Sequence, residues 1–260
     1  MWMWIVGLVL IALGVAGFLA AQGSRKRRHA MIAAETLPVA ELEEHRRTLA
    51  DLGSAGAFRK VCEVVGAAHP HPEGPLRAPQ TGTECVWYRQ TVVHEFSEWH
   101  RESDGDWERR ERSETVLDDT SRQGYALVDA SGTIGVDPNG VAPDRPEKIH
   151  ERFEPGPPGP GGFGGAVRSF FGHDGESLGM RYTEWVIRPG QQLYILGEVH
   201  DRIGPLVIGK PTSSSDPFII STRTEQELRD AAVGRQRWFA WGGAALAVIG
   251  LVLTVVGLVS

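Results

Sequence analysis

The hydrophobic positions of the chain concentrate in one uninterrupted run at each end. Residues 2–22 and 238–260 contain no charged side chain, so all 27 basic and 33 acidic residues lie between these two runs. Each run has about 20 apolar residues, which is enough for a helix to cross a hydrocarbon core of roughly 30 Å. Trp residues stand at one end of each run, as is typical of membrane interfaces. The pattern predicts transmembrane helices at residues 1–22 and 238–260.

The first run has a competing interpretation as a cleavable signal peptide. A signal peptide begins with a basic region and ends in a cleavage site of small residues. Residues 1–22 contain no basic residue and no clear A-x-A site, and a basic run follows directly at residues 25–28. These features favour a retained anchor over a signal peptide.

Basic residues flank both predicted helices on the side of the central region. They are Arg25, Lys26, Arg27 and Arg28 after the first helix, and Arg235 and Arg237 before the second. Because basic flanks are retained in the cytoplasm, we predict a multi-pass protein of the bacterial plasma (inner) membrane, with a cytoplasmic central domain and both termini outside. The same six side chains are predicted to lie at the membrane interface and to contact membrane lipids.

Small residues recur every seven positions within the two predicted helices. The repeat comprises Gly7 and Gly14 in the first helix, and Gly243, Gly250 and Gly257 in the second. A seven-residue interval keeps them on one stripe of a helix, and small residues permit close packing of membrane helices. We therefore predict that the two stripes pack against each other within one chain. Two alternatives stay open: glycine is common in membrane helices, and the stripes can face another copy in a homo-oligomer.

The polar region between the runs predicts a β-rich domain. A helical period at residues 39–52 indicates an amphipathic helix, within a basic juxtamembrane segment at residues 23–58. Alternating and β-branched runs, separated by turn residues, then follow across residues 59–222. They are predicted as strands at residues 59–67, 84–96, 107–116, 124–128, 133–136, 148–153, 181–187, 192–199, 205–209 and 218–220. Their number and spacing favour a barrel or a sandwich.

Two segments depart from this strand pattern. Residues 154–180 are rich in Gly and Pro, which predicts a loop; its three phenylalanines either pack on the domain or touch the bilayer. Residues 225–235 are predicted as a short polar helix in a juxtamembrane segment at residues 223–237. The predicted fold class is therefore an α+β membrane protein, with two transmembrane helices flanking a single β-rich, barrel- or sandwich-like domain with short flanking helices.

Residues suited to catalysis or metal binding are few. The chain has two cysteines, Cys62 and Cys85, and no C-x-x-C pair that would hold a structural zinc ion. The best nucleophilic set combines one of them with His94 and Glu95, but Cys85 and His94 would lie about 30 Å apart on one straight strand. The two histidines in residues 69–72 fit an exposed turn better than a metal site. We therefore predict no catalytic, cofactor-binding or metal-binding residue, and no cofactor.

The charge distribution excludes one class of partner and leaves another open. The net charge of −6 would repel nucleic-acid phosphates, so no nucleic-acid partner is expected. Acidic residues recur in the runs at residues 95–98 and 104–114, and Arg109, Arg110 and Arg112 are mixed with them in the second run. Such a pattern is typical of a solvated strand edge that resists edge pairing. The alternative is that these runs form the rim at which a protein partner binds.

The order of several motifs resembles a known family. The motifs are CEVVGAA, PLRAPQTGTECVWYRQTVV, HERFEP, YTEWVIRPGQQLYILGEV and FIISTRTEQELR. Together with the flanking apolar runs, they resemble the GIDE domain, also called the beside-a-membrane (BAM) domain, of mitochondrial membrane-anchored RING ubiquitin ligases and their bacterial relatives. The resemblance covers nearly the whole chain. It implies a β-rich module held against a bilayer that serves partner contact more than chemistry.

One departure from the family limits what the resemblance implies. A RING finger needs eight Cys or His ligands for two zinc ions, and this sequence has two cysteines. We therefore expect a bacterial, RING-less member: a membrane-anchored, non-catalytic interaction or sensing module with an unknown protein partner or ligand at its cytoplasmic domain. The alternatives are an E3 ubiquitin-protein ligase-type transferase, as the family name implies, and a membrane effector of a bacterial stress or defence system.

Overall fold

The computed structural model of the chain describes residues 35–101, 107–156, 176–214 and 216–223, together with residue 227. These residues form one α-helix, α1 (Val39–Asp51), and twelve β-strands in three sheets. The strands are β1 (Arg59–His69), β2 (Leu76–Arg77), β3 (Glu84–Cys85), β4 (Trp87–Arg101), β5 (Trp107–Thr120), β6 (Tyr125–Val128), β7 (Thr133–Val136), β8 (Glu147–Pro155), β9 (Glu176–Ile187), β10 (Gln192–His200), β11 (Val207–Gly209) and β12 (Ile219–Ser221).

Five strands close into a small barrel, in which each strand pairs with two neighbours. The order around the ring is β1, β6, β7, β11 and β10, and β10 pairs again with β1 in antiparallel orientation. Strands β7 and β11 are parallel, and the other pairs are antiparallel. Strand β12 adds to β10 outside the ring. Of the two architectures that the strand pattern permits, the structure has the barrel.

Alternate residues of the ring strands fill the barrel interior. In β1, Cys62 and Val64 are buried in the main apolar core, whereas Val61 and Val65 are exposed. Gly66 follows where β1 passes from pairing with β10 to pairing with β6. A Cβ atom at Gly66 would lie 2.6 Å from the carbonyl oxygen of Val128. The close approach of the two strands therefore requires glycine at this position.

Helix α1 packs on the barrel and receives its N-terminal cap from another part of the chain. Val39 and Leu42 of its first turn are buried in the barrel core. The Oδ2 atom of Asp129 accepts the N–H of Val39 at 2.8 Å, and the Oγ atom of Ser131 accepts the N–H of Ala40 at 3.0 Å. The first N–H groups of a helix lack partners within the helix and favour a nearby negative charge. The turn between β6 and β7 therefore fixes where the helix begins.

The second large sheet is antiparallel, with the strand order β5, β4, β9 and β8. Strands β4 and β5 form a long hairpin, and β9 pairs with β4 only as far as Ser97, opposite Glu176. Beyond that point the described residues of the hairpin pair only with one another. At the opposite end of the sheet, Trp87 and Ile187 face each other and are buried in the barrel core. This contact joins the sheet to the barrel.

Most predicted elements lie close to the observed ones, but the predicted loop at residues 154–180 was wrong at both ends. Helix α1 begins at residue 39 as predicted, and β7 has the predicted bounds. Residues 154–155 belong to β8, however, and residues 176–180 belong to β9. These strand ends are held by pairing with neighbouring strands, and their polar and glycine residues show no alternating apolar pattern. The rest of the predicted loop lies outside the described residues.

The predicted fold class is corrected by the structure. Across the described ranges, no helix is long and apolar enough to cross a membrane, and α1 has thirteen residues. The described residues are therefore mostly β with one helix, and they do not support an α+β membrane protein with two transmembrane helices. The prediction rested on the two apolar, uncharged runs with tryptophans at one end, whereas the apolar residues that the structure describes alternate along strands and pack inside the barrel. The two predicted spans, at residues 1–22 and 238–260, lie outside the described residues.

The predicted localisation is corrected with the fold class. A multi-pass protein of the bacterial plasma membrane, with a cytoplasmic domain and external termini, rested on those two spans, and the same finding leaves it without support. Two sets of predicted residues also lie outside the described ranges. They are the membrane-interface residues Arg25, Lys26, Arg27, Arg28, Arg235 and Arg237, and the helix-packing residues Gly7, Gly14, Gly243, Gly250 and Gly257.

Candidate functional site

The residues of the best nucleophilic set do not come together in the fold. Cys62 lies in the barrel core, whereas Cys85 lies in a separate cluster with Ala78 and Val186. His94 and Glu95 are neighbours on β4, so their side chains lie on opposite faces of the sheet. The Nε2 atom of His94 is 2.8 Å from the hydroxyl of Ser177. The chain therefore gives neither thiol a general base from this set.

Burial makes both thiols poor nucleophiles. It raises the pKa of Cys62 to about 12 and the pKa of Cys85 to about 11. The thiolate is the reactive form of cysteine, and almost none is present near neutral pH at such pKa values. Both cysteines are free thiols and fully buried. They act as small apolar residues of the core.

Four buried carboxylates have structural partners. Glu184 accepts hydrogen bonds from the backbone N–H groups of Gln80 and Thr81 at 2.8 and 3.1 Å, and from the Thr81 hydroxyl at 2.8 Å. Glu63 accepts hydrogen bonds from the hydroxyls of Thr36 and Tyr194. Glu198 accepts from Thr212 and Arg202. Asp201 accepts from the backbone N–H groups of Gly56 and Phe58. Glu184 and Glu198 tie loops to strands, Glu63 joins β1 to β10 and to the chain before α1, and Asp201 joins the segment after β10 to the segment before β1. These carboxylates therefore position backbone segments.

The candidate metal-binding histidines have only a local contact. His71 lies at a turn, where its Nδ1 atom accepts the N–H of Glu73 at 3.3 Å. Across the part of the chain that the structure describes, no group of three or more His, Cys, Asp or Glu side chains could hold a metal ion.

An exposed aromatic pair lies near the end of hairpin β4–β5. The side chains of Trp99 and Trp107 are 65% and 63% exposed. Trp99 lies opposite Arg109 on β5, and Trp107 lies opposite Arg101 on β4. Because opposite residues of an antiparallel pair share a face, the two indoles occupy diagonal positions on one face, roughly 7–8 Å apart by the usual spacing. Among the side chains that the structure describes, which do not include that of Arg101, neither ring stacks on another aromatic ring or on a guanidinium.

The arginines of β5 are all engaged in ion pairs. The pairs are Arg109–Glu176 at 2.9 Å, Arg110–Glu108 at 2.9 Å and Arg112–Glu98 at 3.3 Å. These side chains are largely exposed, so each pair contributes at most about 1 kcal/mol to stability. Glu111 and Glu114 of the same strand have no ion-pair partner among the described residues. Of these two, Glu111 lies on the same face of β5 as the indoles, so this face keeps an unpaired negative charge.

Two open grooves lie on the same sheet, nearer the barrel. The first, of about 510 Å³, is lined by Arg89, Asp118, Asp119, Arg122 and neighbouring residues. Arg89 forms a bidentate pair with Asp118, with N–O distances of 2.8 and 2.7 Å. The second groove, of about 440 Å³, has the apolar residues Val92, Leu117 and Tyr182 and a polar rim of Gln80, Gln90, His150, Arg152 and Glu154. Both grooves hold side chains of mixed charge, and neither is lined by Cys62 or Cys85.

Sequence reasoning found the charged strand but missed the aromatic pair. The run at residues 104–114 was predicted as a solvated edge or as a partner-binding rim, and β5 is an edge strand in the described sheet. The available signal was the position of two tryptophans within a strongly charged stretch, one on each side of the segment between residues 100 and 106. Their exposure on one face depends on the register of β4 against β5, which the composition does not reveal.

The fold and this surface define the chain as a small-barrel protein that carries a long antiparallel hairpin with an exposed aromatic pair. The model of the GIDE family, described as E3 ubiquitin ligase, matches residues 95–257, which is more than half of the chain. The protein therefore belongs to the GIDE family, and the resemblance of its motifs is confirmed. The matched range includes both Trp99 and Trp107. No curated protein and no solved structure matches the chain.

Proposed function

We propose that this protein is a non-catalytic interaction module that binds a protein partner through the end of hairpin β4–β5. The observation that carries the proposal is the exposure of Trp99 and Trp107 on one face of the hairpin. Tryptophan is enriched among the residues that contribute most to protein interfaces. Burial of two solvent-exposed indoles against a partner would also contribute hydrophobic free energy to binding.

The placement of the reactive groups supports binding over chemistry. Cys62 and Cys85 are buried in separate apolar clusters. The fully buried Glu184 accepts hydrogen bonds from the loop that contains Gln80 and Thr81. The grooves on the sheet, by contrast, offer arginine, amide and carboxyl groups to solvent, as a recognition surface does.

A second candidate is favoured by the family description, which is E3 ubiquitin ligase. In that case the protein would take part in transfer of ubiquitin, and the hairpin would contact a substrate or a conjugating enzyme. RING-type transfer depends on eight zinc ligands, whereas Cys62 and Cys85 lie in different clusters and are fully buried. We therefore place this candidate second.

Quantitative affinity capture tests the interaction module. The full-length protein is captured from extracts of its own cells, and bound proteins are compared by mass spectrometry with those of the Trp99→Ala/Trp107→Ala variant. The matched control is Leu52→Ala/Ile203→Ala, which removes two side chains that are 75% and 73% exposed elsewhere on the surface. We expect a partner that is retained by the wild type and the control but lost from the tryptophan variant. Retention of the same proteins by all three forms would contradict the proposal.

A discharge assay separates the two candidates. The purified protein is mixed with a ubiquitin-charged conjugating enzyme, and loss of the thioester is followed over time. The interaction module is expected to leave the discharge rate unchanged. An accelerated discharge that depends on added protein would establish the transferase candidate instead.

A further inference from the structure

We propose that the aromatic pair of the hairpin recognises the cationic side chains of a Lys- or Arg-rich protein segment. This inference rests on the proposed interaction function and specifies the chemistry of the partner. It starts from the availability of the two rings. Trp99 and Trp107 lie on one face and are about two-thirds exposed, and neither ring stacks on another ring or on a guanidinium among the side chains that the structure describes, which do not include that of Arg101.

The charge of the hairpin selects the partner. Residues 95–119 contain ten acidic and four basic residues. The three arginines of β5 already pair with Glu176, Glu108 and Glu98. Glu95 and Asp118 also have partners, in Arg181 and Arg89. The carboxylates that remain, which include Glu111, give the hairpin a negative field that attracts cations and repels nucleic acids and anionic surfaces.

Glu111 places part of this charge on the same face as the indoles. It lies opposite Ser97 and two residues from Arg109, which in turn faces Trp99. Residues two apart on a strand share a face, so Glu111 and Trp99 are diagonal neighbours. Glu111 is exposed and has no ion-pair partner among the described residues. A cation that rests on the indole can therefore approach a carboxylate at the same time.

The combination favours a cation over an apolar ligand. An indole face attracts Lys and Arg side chains more strongly than other aromatic rings do. An apolar partner would need a continuous apolar patch, whereas Trp99 and Trp107 are surrounded by charged residues such as Arg109 and Glu111. The site therefore fits a basic segment that offers several cations in succession.

Peptide binding to the full-length protein tests the inference. The probe is a fluorescein-labelled tetra-arginine peptide with blocked ends, followed by fluorescence anisotropy at low salt, and tetra-glutamine and tetra-glutamate peptides serve as matched probes. We expect binding of tetra-arginine only. The affinity should fall about tenfold or more in Trp99→Ala/Trp107→Ala and a few-fold in Glu111→Gln. The matched controls Leu52→Ala and Glu73→Gln should bind as the wild type does.

A graded substitution distinguishes a cation–π contact from apolar contact. Trp107→Phe keeps an aromatic ring, whereas Trp107→Leu keeps only apolar surface, so we expect the phenylalanine variant to bind more tightly than the leucine variant. Equal binding of these two variants, or tetra-arginine binding that ignores both tryptophans, would overturn the inference. Unchanged circular dichroism and melting temperature confirm that each variant folds.

The peptide-binding test and the affinity-capture test can fail independently of each other. If a captured partner needs Trp99 and Trp107 but the tetra-arginine peptide does not bind, the interaction module stands and the cationic partner is wrong. Binding to phosphatidylglycerol vesicles that needs both tryptophans, without binding of the peptide, would overturn the inference in favour of a lipid surface.

Discussion

Replacement of Glu184 by Gln is expected to destabilise the fold strongly, although the two side chains have nearly the same shape. Glu184 lies on β9 and its side chain is fully buried. Its two oxygens accept three hydrogen bonds from Gln80 and Thr81, in the loop that leads into β3. Glutamine keeps one oxygen and replaces the other with an NH₂ group, which is a donor. At least one of the three donors then faces another donor in a buried place.

The magnitude follows from the loss of a charged acceptor. Hydrogen bonds to charged groups contribute about 1.5–3 kcal/mol, and an unsatisfied buried donor costs about 1–3 kcal/mol. We therefore expect the free energy of unfolding to fall by about 2–4 kcal/mol in Glu184→Gln. For a domain of about 150–250 residues, this corresponds to a melting temperature lower by about 5–15 °C.

The matched control is the same substitution at Glu84, on β3. The Glu84 side chain is 55% exposed and pairs with Arg77 at 2.8 Å. An exposed pair contributes less than about 1 kcal/mol, so Glu84→Gln should shift the melting temperature little. Both variants are measured by urea denaturation and by thermal melting at neutral pH. Free energies of unfolding that agree within about 0.5 kcal/mol would refute the reasoning, since the three buried hydrogen bonds would then add nothing.

Three further predictions follow from the barrel and its helix. Asp129→Asn should destabilise the fold by about 1–2 kcal/mol at pH 7, measured by urea denaturation, because an amide keeps one of the two oxygens that accept backbone N–H groups and removes the charge at the start of α1. Burial alone would raise the pKa of Asp129, but hydrogen bonds from Val39, Ser131 and Gly132 outweigh it and lower the pKa. The deficit should therefore be full above the unfolded value of about 3.9 and shrink below it. Cys62 and Cys85 should resist alkylation in the native protein at pH 8 and react together in denaturant, because burial raises the pKa of each thiol to about 12 and about 11. Gly66→Ala should cost about 1–3 kcal/mol in urea denaturation, because the added Cβ atom would lie 2.6 Å from the carbonyl oxygen of Val128.

Each of these predictions has an outcome that contradicts it. A deficit in Asp129→Asn that stays constant between pH 7 and about pH 3 would show that the charge of Asp129 does not stabilise the helix. Rapid labelling of either cysteine in the folded protein would show that its thiol is accessible and ionises readily. An unchanged stability of Gly66→Ala would mean that β1 and β6 can separate at no cost.

Local elements were predictable because their signals are short-range. Helix α1 has apolar residues at helical spacing, and β7 is bounded by turn residues on both sides. The alternation in β1 follows directly from a strand with one face in the barrel. These patterns depend only on neighbours in sequence, so composition and spacing are sufficient to find them.

The barrel and the candidate site depend on contacts between distant residues. Closure requires that β1 pairs with β10 as well as with β6, which no local pattern encodes. Likewise, Trp99 and Trp107 share a face only because β4 and β5 pair in one particular register. The cap that Asp129 gives to α1 also joins segments far apart in the chain. The long apolar runs led to a wrong fold class. They indicated membrane-spanning helices, whereas the described residues contain no helix long and apolar enough to cross a membrane.

The central claim, that the end of hairpin β4–β5 is the contact surface of a non-catalytic module, is tested most directly by site-specific photocrosslinking. A photoreactive phenylalanine derivative replaces Ser113, which is exposed on the same face of β5 as Trp107, or Ser54, which is exposed in the loop after α1. Cells that express each form are irradiated, and covalent adducts are identified by mass spectrometry. We predict a discrete protein adduct at residue 113, none at residue 54, and loss of the adduct when Trp99 and Trp107 are both replaced by Ala. Equal adducts at both positions, or an adduct at residue 113 that survives loss of the two tryptophans, would contradict the account.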